Sequence, residues 1–288
     1  MADSLLAVKK RIQTVNSIKK ITKVMKLIAS SRYSKYRILF DGNKEYLASM
    51  KKAMNICLKY VDYDNNHLPT CMIKNEGNKK LYVYVTSTLG LCGNYFYNLE
   101  KYSKKLINSD SDVIFIGEKG YRHYKNKVHK AYVDYIDLVD NLTFERVNRF
   151  RHYLDALYKE NGYSEVILIY TKYISSFEVK TTSKRLLPLE YDKDINFDEL
   201  IEPTFDTNPE FVADLIVPHY LDALLYNGFL ESALSEQTSR KNSMENATSS
   251  ADELIYELNL KFNKIRQAKI TQEITEVISG SNDSSSIY

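Results

Sequence analysis

Proline and glycine are nearly absent from both ends of this chain, which predicts that each end folds as one long helix. No proline precedes Pro69, and Gly42 is the only glycine in the first sixty residues. After Pro218 there is no further proline, and Gly228 is the only glycine before residue 280. At about 1.5 Å per residue, the uninterrupted terminal helix would be roughly 90 Å long.

Both predicted helices carry an apolar stripe. The stripe of the terminal helix weakens into Ser, Thr, Asn and Gln between Leu234 and Ala251. Because long amphipathic helices need to bury such stripes, we expect the two ends to pair as an antiparallel coiled coil. A shaft of this kind favours mechanics or assembly over catalysis. Steps of three and four place one set of apolar residues on one face of the first helix: Leu5, Val8, Ile12, Val15, Ile18, Ile21, Met25 and Ile28.

The middle of the chain alternates predicted strands with short helices. This alternation predicts a mostly parallel sheet covered on both faces, and therefore a Rossmann-like α/β domain. Strands are predicted at 81–87, 112–117, 165–170 and, as an edge strand, 177–182, and helices at 94–108, 119–125 and 144–160.

The predicted fold class is α/β, in which a long antiparallel coiled coil of the N- and C-terminal helices is joined to a central α/β domain. An acidic stretch with two prolines separates that domain from the terminal helix and indicates a connector. The predicted organisation is a shaft helix at 1–60 capped by Asp3 or Ser4, a foot domain at 78–190, a connector at 191–210, a shaft helix at 211–280 and a flexible tail at 281–288.

Charge is distributed unevenly although the net charge is only +3. Ten Lys or Arg residues and no acid lie between Lys9 and Arg37. Three interpretations remain open: a solvated cationic face, a nucleic-acid grip, or a shaft inside an acidic protein collar. At the other end, Glu273 and Glu276 oppose the helix macrodipole, so either an outside partner supports this tip or the tip frays.

No catalytic, metal or cofactor site is predicted. The turn from Gly90 to Gly93 lies where phosphate loops lie, but it lacks the Walker lysine, which favours a tight structural turn. The five histidines are scattered, and Cys57, Cys71 and Cys92 have no metal or redox spacing. Three isolated cysteines and the lack of a long apolar run predict a cytosolic chain without a membrane span or secretory signal.

Four segments resemble the gamma subunit of F-type ATP synthases. They are the basic segment from Lys19 to Ala29, the turn Gly90-Leu-Cys-Gly93, the sheet exit Leu186-Leu-Pro-Leu189, and the terminal block from Arg266 to Gly280. The terminal block is the most specific of the four, and the resemblance covers nearly the whole chain.

This resemblance implies a non-catalytic rotor shaft. Its terminal helices would turn inside a ring of three alpha and three beta subunits, which make or split ATP. Its α/β domain would lie beside the epsilon subunit and the membrane c-ring, at the cytoplasmic face of a bacterial membrane. The resemblance implies no cofactor and no nucleic acid. It implies ring contacts at Lys20, Thr22, Lys23, Met25, Arg266, Gln267 and Thr271, and a structural turn at Gly90 and Gly93.

The chain also departs from the family pattern. Thr88 and Leu89 replace an Asp-Arg pair before the glycine turn, Asn94 replaces a glycine, and Lys26 makes the first helix more basic. These changes leave open a divergent F1-like motor that is not used for proton-driven synthesis. Two further alternatives are a nucleic-acid-binding coiled coil, with steeply salt-dependent binding, and a nucleotide enzyme built on residues 78–190.

Overall fold

The computed structural model describes residues 5–61, 68–190 and 204–284, with side chains as far as residue 279. The predicted α/β fold class is confirmed. The elements are α1 Leu5–Lys59, a 3₁₀ turn Thr70–Met72, β1 Lys80–Val85, α2 Tyr95–Ser103, β2 Asp112–Ile116, α3 Glu118–Tyr124, β3 Lys130–Tyr132, α4 Phe144–Asn161, β4 Glu165–Tyr173, β5 Val179–Leu187 and α5 Pro209–Ser284.

The chain divides into two compact units. We call the first the coiled-coil unit; it contains the described residues of 1–28 and 241–288. We call the second the sheet unit; it contains the described residues of 29–240. The boundaries given above for the foot domain and the connector stay predictions, and residues 191–203 of the connector lie outside the described part of the chain.

The sheet unit is built on five strands in the order β3-β2-β1-β4-β5. The first four strands run parallel, and β5 pairs antiparallel with β4 at the edge. β3 is the one strand that was not predicted. It has only three residues, of which Tyr132 alone is buried, so its alternation of polar and apolar residues is too short to be detected in the sequence.

Helices cover both faces of this sheet. One apolar cluster joins the sheet to α1, α4 and α5 through residues such as Leu58, Phe150 and Phe229. The other joins it to α2 and α3 through Leu99 and Tyr124. Between residues 220 and 238, α5 is buried at nearly every position, which is typical of a helix enclosed by the rest of a domain.

The predicted apolar face of α1 is only partly buried. Ile18, Ile21 and Ile28 are exposed, with Ile21 59% accessible. A two-helix seam covers only a narrow stripe with a seven-residue repeat, whereas the apolar residues of α1 occupy a wider arc. In the coiled-coil unit the buried positions that follow the repeat are Val8, Val15 and Thr22. The same spacing continues through Ala29, Tyr36 and Asn43, which are buried in the sheet unit.

Both ends of α5 also differ from the prediction. The helix begins at Pro209 and contains Pro218 in its interior, and it includes residues 281–284 of the predicted tail. Pro218 removes the hydrogen bond to the carbonyl of Asp214. Both residues line a pocket whose other lining side chains are mostly charged or polar. The predicted caps of α1, Asp3 and Ser4, lie outside the described residues.

Two glycines provide a matched test of this fold. Gly117 has a φ of 94°, and a Cβ there would overlap the Thr86 carbonyl, whereas a Cβ on Gly42 in α1 would meet open space. We expect Gly117→Ala to destabilise the chain by about 3 kcal/mol and Gly42→Ala to stabilise it by about 0.5–1 kcal/mol. Urea unfolding of the full chain measures both, and shifts of the same sign would contradict the described backbone.

Candidate functional site

The crevice where Rossmann-like sheets bind ligands is occupied here by α5. In such sheets the ligand lies at the carboxyl ends of the strands where the strand order reverses, here between β1 and β4. At the end of β4, the Thr171 N–H donates to Ser232 Oγ at 3.3 Å, and Ser235 Oγ donates to the Thr171 carbonyl at 3.1 Å. The Tyr95 hydroxyl donates to the Ser232 carbonyl at 3.4 Å. Side chains of the chain itself therefore fill the position of a nucleotide.

The glycine turn is joined to α5 by Arg240, which also pairs with Glu236 one turn earlier in the same helix. Arg240 Nη2 lies 3.4 Å from the carbonyl oxygens of Leu89 and Gly90 and 2.6 Å from Glu236 Oε1. Burial raises the pKa of Glu236, and the Arg240 guanidinium opposes that shift. Because the turn presents carbonyls to a cation, it has the wrong polarity for a phosphate loop.

The turn itself has a constrained backbone. Gly93 has a φ of 57°, and Leu91 is the only non-glycine residue with a positive φ in the described chain, at 65°. The side chains of Leu89 and Leu91 are both exposed. Thr88 donates its hydroxyl to Asp140 at 2.8 Å. The turn thus holds two leucines outward on a fixed backbone.

A second buried charge cluster fixes α4 to α5. Arg151 Nε donates to Asp222 Oδ1 at 2.8 Å, and its Nη1 donates to Asp155 at 2.7 Å. Asn148 donates to the other Asp222 oxygen at 2.7 Å. Sequence reasoning missed this cluster and the Glu236–Arg240 pair. The available signal was a charged residue on the apolar face of a helix, as Arg151 lies between Phe150 and Leu154.

The described residues offer neither a metal-binding group nor a reactive thiol. They contain no group of three His, Cys, Asp or Glu side chains able to hold a metal ion. The three cysteines are free and buried. Burial raises the pKa of Cys57 and Cys92, and that of Cys71 to about 12, so at neutral pH these thiols are poor nucleophiles.

Polar contacts join the helices of the coiled-coil unit where the sequence stripe weakens. The hydroxyls of Thr22 and Thr248 lie 2.8 Å apart, and Lys26 Nζ lies 2.7 Å from Glu245 Oε1. Lys19 pairs with Asp252. These pairs fix an antiparallel register, and they neutralise two of the four lysines in the basic segment from Lys19 to Ala29. The local positive charge is therefore smaller than the sequence indicates.

The predicted contact residues of α1 fall in different environments. Lys20 and Lys23 are exposed, and Met25 is half-buried. Thr22 is only 8% accessible and has its hydrogen-bond partner within the chain. Its contact with a ring stays a prediction, but its burial has an explanation inside the coiled coil.

The predicted contact residues of α5 lie beyond the coiled-coil seam. Arg266, Gln267 and Thr271 are all exposed, and Thr271 Oγ1 donates to the Gln267 carbonyl at 3.0 Å. Arg266 follows Asp252, the partner of Lys19, by 14 residues, or about 21 Å of helix. The two predicted groups are therefore not brought together, and they occupy separate levels of the coiled-coil unit.

The last described turns of α5 expose an apolar surface. Ile265 is the last residue that packs in the seam, and every side chain from 266 to 279 is exposed. Val277, at 72% accessible, is the most exposed of four apolar residues there, which also include Ile270, Ile274 and Ile278. An exposed apolar patch of this kind is typical of a protein-contact surface. No described helix is long and apolar enough to cross a bilayer.

Comparisons with known proteins agree over nearly the full length. The family described as ATP synthase matches residues 4–282. The ATP synthase gamma chain of Clostridium pasteurianum is 35% identical over 97% of this chain and 98% of that one. That of Ureaplasma urealyticum serovar 10 is 34% identical over 97% and 100%. A chain of the Euglena gracilis mitochondrial ATP synthase matches with a TM-score of 0.66 and 15% identity, over 97% and 94%, which shows the shared fold.

The buried pair of Glu236 and Arg240, beside the glycine turn, can be tested by its effect on stability. Arg240→Met leaves the Glu236 carboxyl buried without its partner, so we expect a loss of about 3–5 kcal/mol in the free energy of unfolding. Adding Glu236→Met removes the orphaned charge and should recover most of that loss. Urea unfolding of the single and double variants measures the coupling. Equal losses in both variants would contradict the described pair.

Proposed function

The chain belongs to the ATP synthase family, among its gamma chains, and we propose that it is the central rotor shaft of a rotary F-type ATPase. The observation that carries this proposal is the family match, which includes both terminal helices and the sheet between them. The shaft would couple rotation to ATP synthesis or hydrolysis on the beta subunits of a surrounding alpha3beta3 ring. In this proposal the chain itself is non-catalytic.

The apolar end of α5 supports the placement inside a ring. Four exposed apolar residues beyond Ile265 would be buried by a sleeve of surrounding subunits. On α1, Ile21, Val24 and Leu27 present a further exposed apolar strip beside Lys20 and Lys23. A ring with apolar and acidic inner loops would complement this surface.

The mechanism requires the shaft to contact its three beta neighbours unequally. Each contact would stabilise one conformation of a catalytic site over another, and rotation would move that bias from site to site. The buried links of α5 to the rest of the sheet unit suit it to carry torque. Arg151 of α4 pairs with Asp222, and Arg240 donates to the carbonyls of Leu89 and Gly90, so the helix is held at two levels. Exposed Leu89 and Leu91 of the sheet unit offer a further contact for a neighbouring subunit.

The remaining partners follow from the same proposal. Alpha and beta subunits would surround the coiled-coil unit, and the epsilon subunit and the membrane c-ring would contact the sheet unit. The chain would then be a peripheral component on the cytoplasmic side of a bacterial membrane. Co-purification of the tagged full chain tests this assembly, and recovery without alpha and beta subunits would overturn it.

Two residues on α5 test the ring contact. Arg266 and Gln267 offer several hydrogen-bond donors to carboxylates and carbonyls on a neighbour. We expect Arg266→Ala with Gln267→Ala to lower the ATPase rate of the reconstituted complex by roughly two- to tenfold. The control is Lys125→Ala, which changes an exposed residue of the sheet unit and should leave the ATPase rate unchanged. Unchanged activity in the double variant would refute the assigned role.

The apolar end of α5 gives a prediction with two readouts. Ile274→Ser with Val277→Ser changes side chains that are already exposed, so the unfolding free energy of the isolated chain should change by less than about 0.5 kcal/mol. In the complex, the same change should weaken assembly, because polar groups would be buried in the sleeve. Sedimentation of the reconstituted complex measures assembly. Normal assembly and activity would contradict burial of this end by a partner.

A further inference from the structure

The outer edge of β5 is open among the described residues. β5 is the last strand of the sheet, and no described strand pairs with its far side. In an antiparallel ladder, alternate residues direct their N–H and C=O groups away from the paired neighbour. Residues 179–185 are all exposed or half-buried, so this row of donors and acceptors is accessible.

The same strand is strongly basic. β5 contains Lys180, Lys184 and Arg185 and no acidic residue. Arg185 is compensated by Glu165 and Glu190. The two lysines lie on the opposite face of the strand from Arg185.

Neither lysine forms an ion pair with a described carboxylate, although Glu231 acts on Lys184 from a greater distance. Lys180 stands directly opposite Lys172 of β4, and like charges in that position repel. Partial burial lowers the pKa of Lys184, and Lys51 and Lys172 lower it further, against the opposing charge of Glu231. Among the described residues, none of Lys172, Lys180 and Lys184 has a carboxylate within ion-pair distance. This face of the edge is therefore complementary to an acidic partner.

The turn that leads into β5 presents an aromatic anchor. Phe177 is 95% exposed. Ser175 Oγ accepts hydrogen bonds from the N–H groups of Phe177 at 3.2 Å and Glu178 at 3.1 Å, which fixes the turn. An exposed aromatic side chain on a rigid backbone contributes strongly to binding when a partner supplies a pocket.

We propose that the outer edge of β5 binds an acidic β-strand of another subunit, which extends the sheet by one strand, while Phe177 enters an apolar pocket beside that strand. Open main-chain groups require an extended peptide, which distinguishes this partner from a nucleic acid. A second copy of the same edge would bring lysines opposite lysines and is disfavoured. The inference rests on the proposed rotor role only in assigning the strand to a subunit of the same assembly.

The experiment compares the full chain alone with the chain in its purified assembly. A carbodiimide, which joins lysines to carboxylates in direct contact, is the cross-linking probe, and amide hydrogen exchange of residues 177–187 reports strand pairing. We expect cross-links from Lys180 or Lys184 to Asp or Glu residues in one segment of one partner. We also expect roughly tenfold or slower exchange in the assembly.

Matched variants distinguish the effect of the β5 lysines from the effect of lowering the positive charge elsewhere on the chain. Lys180→Gln with Lys184→Gln should remove the cross-links and restore faster exchange. Lys79→Gln with Lys125→Gln, two exposed lysines outside β5, should change neither. Phe177→Ser should speed exchange in the assembly without changing that of the isolated chain.

Several results would overturn the inference. They are unchanged exchange on assembly, protection that nuclease removes, cross-links only between copies of this chain, or slow exchange already present in the isolated chain. A complex that assembles and hydrolyses ATP with a free β5 edge refutes this inference and leaves the rotor proposal intact. Recovery of the chain without alpha and beta subunits refutes the rotor proposal. The cross-links and the hydrogen exchange of residues 177–187 are then measured on the assembly that is recovered.

Discussion

The enclosure of α5 by the sheet unit is the constraint on which the rest of the structure depends. Between residues 220 and 238 this helix is buried at nearly every position, although it contains Asp222 and Glu236. Buried polar groups need partners, so the surroundings of the helix are dictated closely. Arg151 of α4 is placed to meet Asp222, and the carbonyls of the glycine turn are placed to meet Arg240, which pairs with Glu236 within the helix. The ligand crevice of the sheet is filled as a result.

Much of this fold could be predicted because it rests on local periodicity. The long helices, the principal strands and the antiparallel pairing of the ends follow from the spacing of apolar residues and the scarcity of proline. The family resemblance, carried by the basic start of α1 and the block after Arg266, is confirmed by the match over residues 4–282. The assigned contact residues remain predictions, since their exposure is compatible with ring contact but does not require it.

What the sequence did not predict depends on long-range pairing. The seam selects Val8, Val15 and Thr22 rather than the neighbouring isoleucines, because the partner helix decides which part of a wide apolar arc is covered. The Thr22–Thr248 contact explains how the seam continues where the stripe weakens. Pro218 is tolerated inside α5 beside a pocket lined mostly by charged or polar side chains. In each case the deciding neighbour lies far away in the sequence.

The position of the enclosed segment along the chain has a consequence for biosynthesis. Residues 220–238 leave the ribosome after all five strands of the sheet. About three quarters of the chain is therefore made before the helix that completes the core of the sheet is available. Until then, the apolar surfaces of α1 and of the sheet face that α5 covers remain exposed to solvent. Exposed apolar surface of this kind is what chaperones bind on nascent chains. A truncated translation product that ends before α5 would be unable to complete this core, so quality control can recognise it by its open sheet.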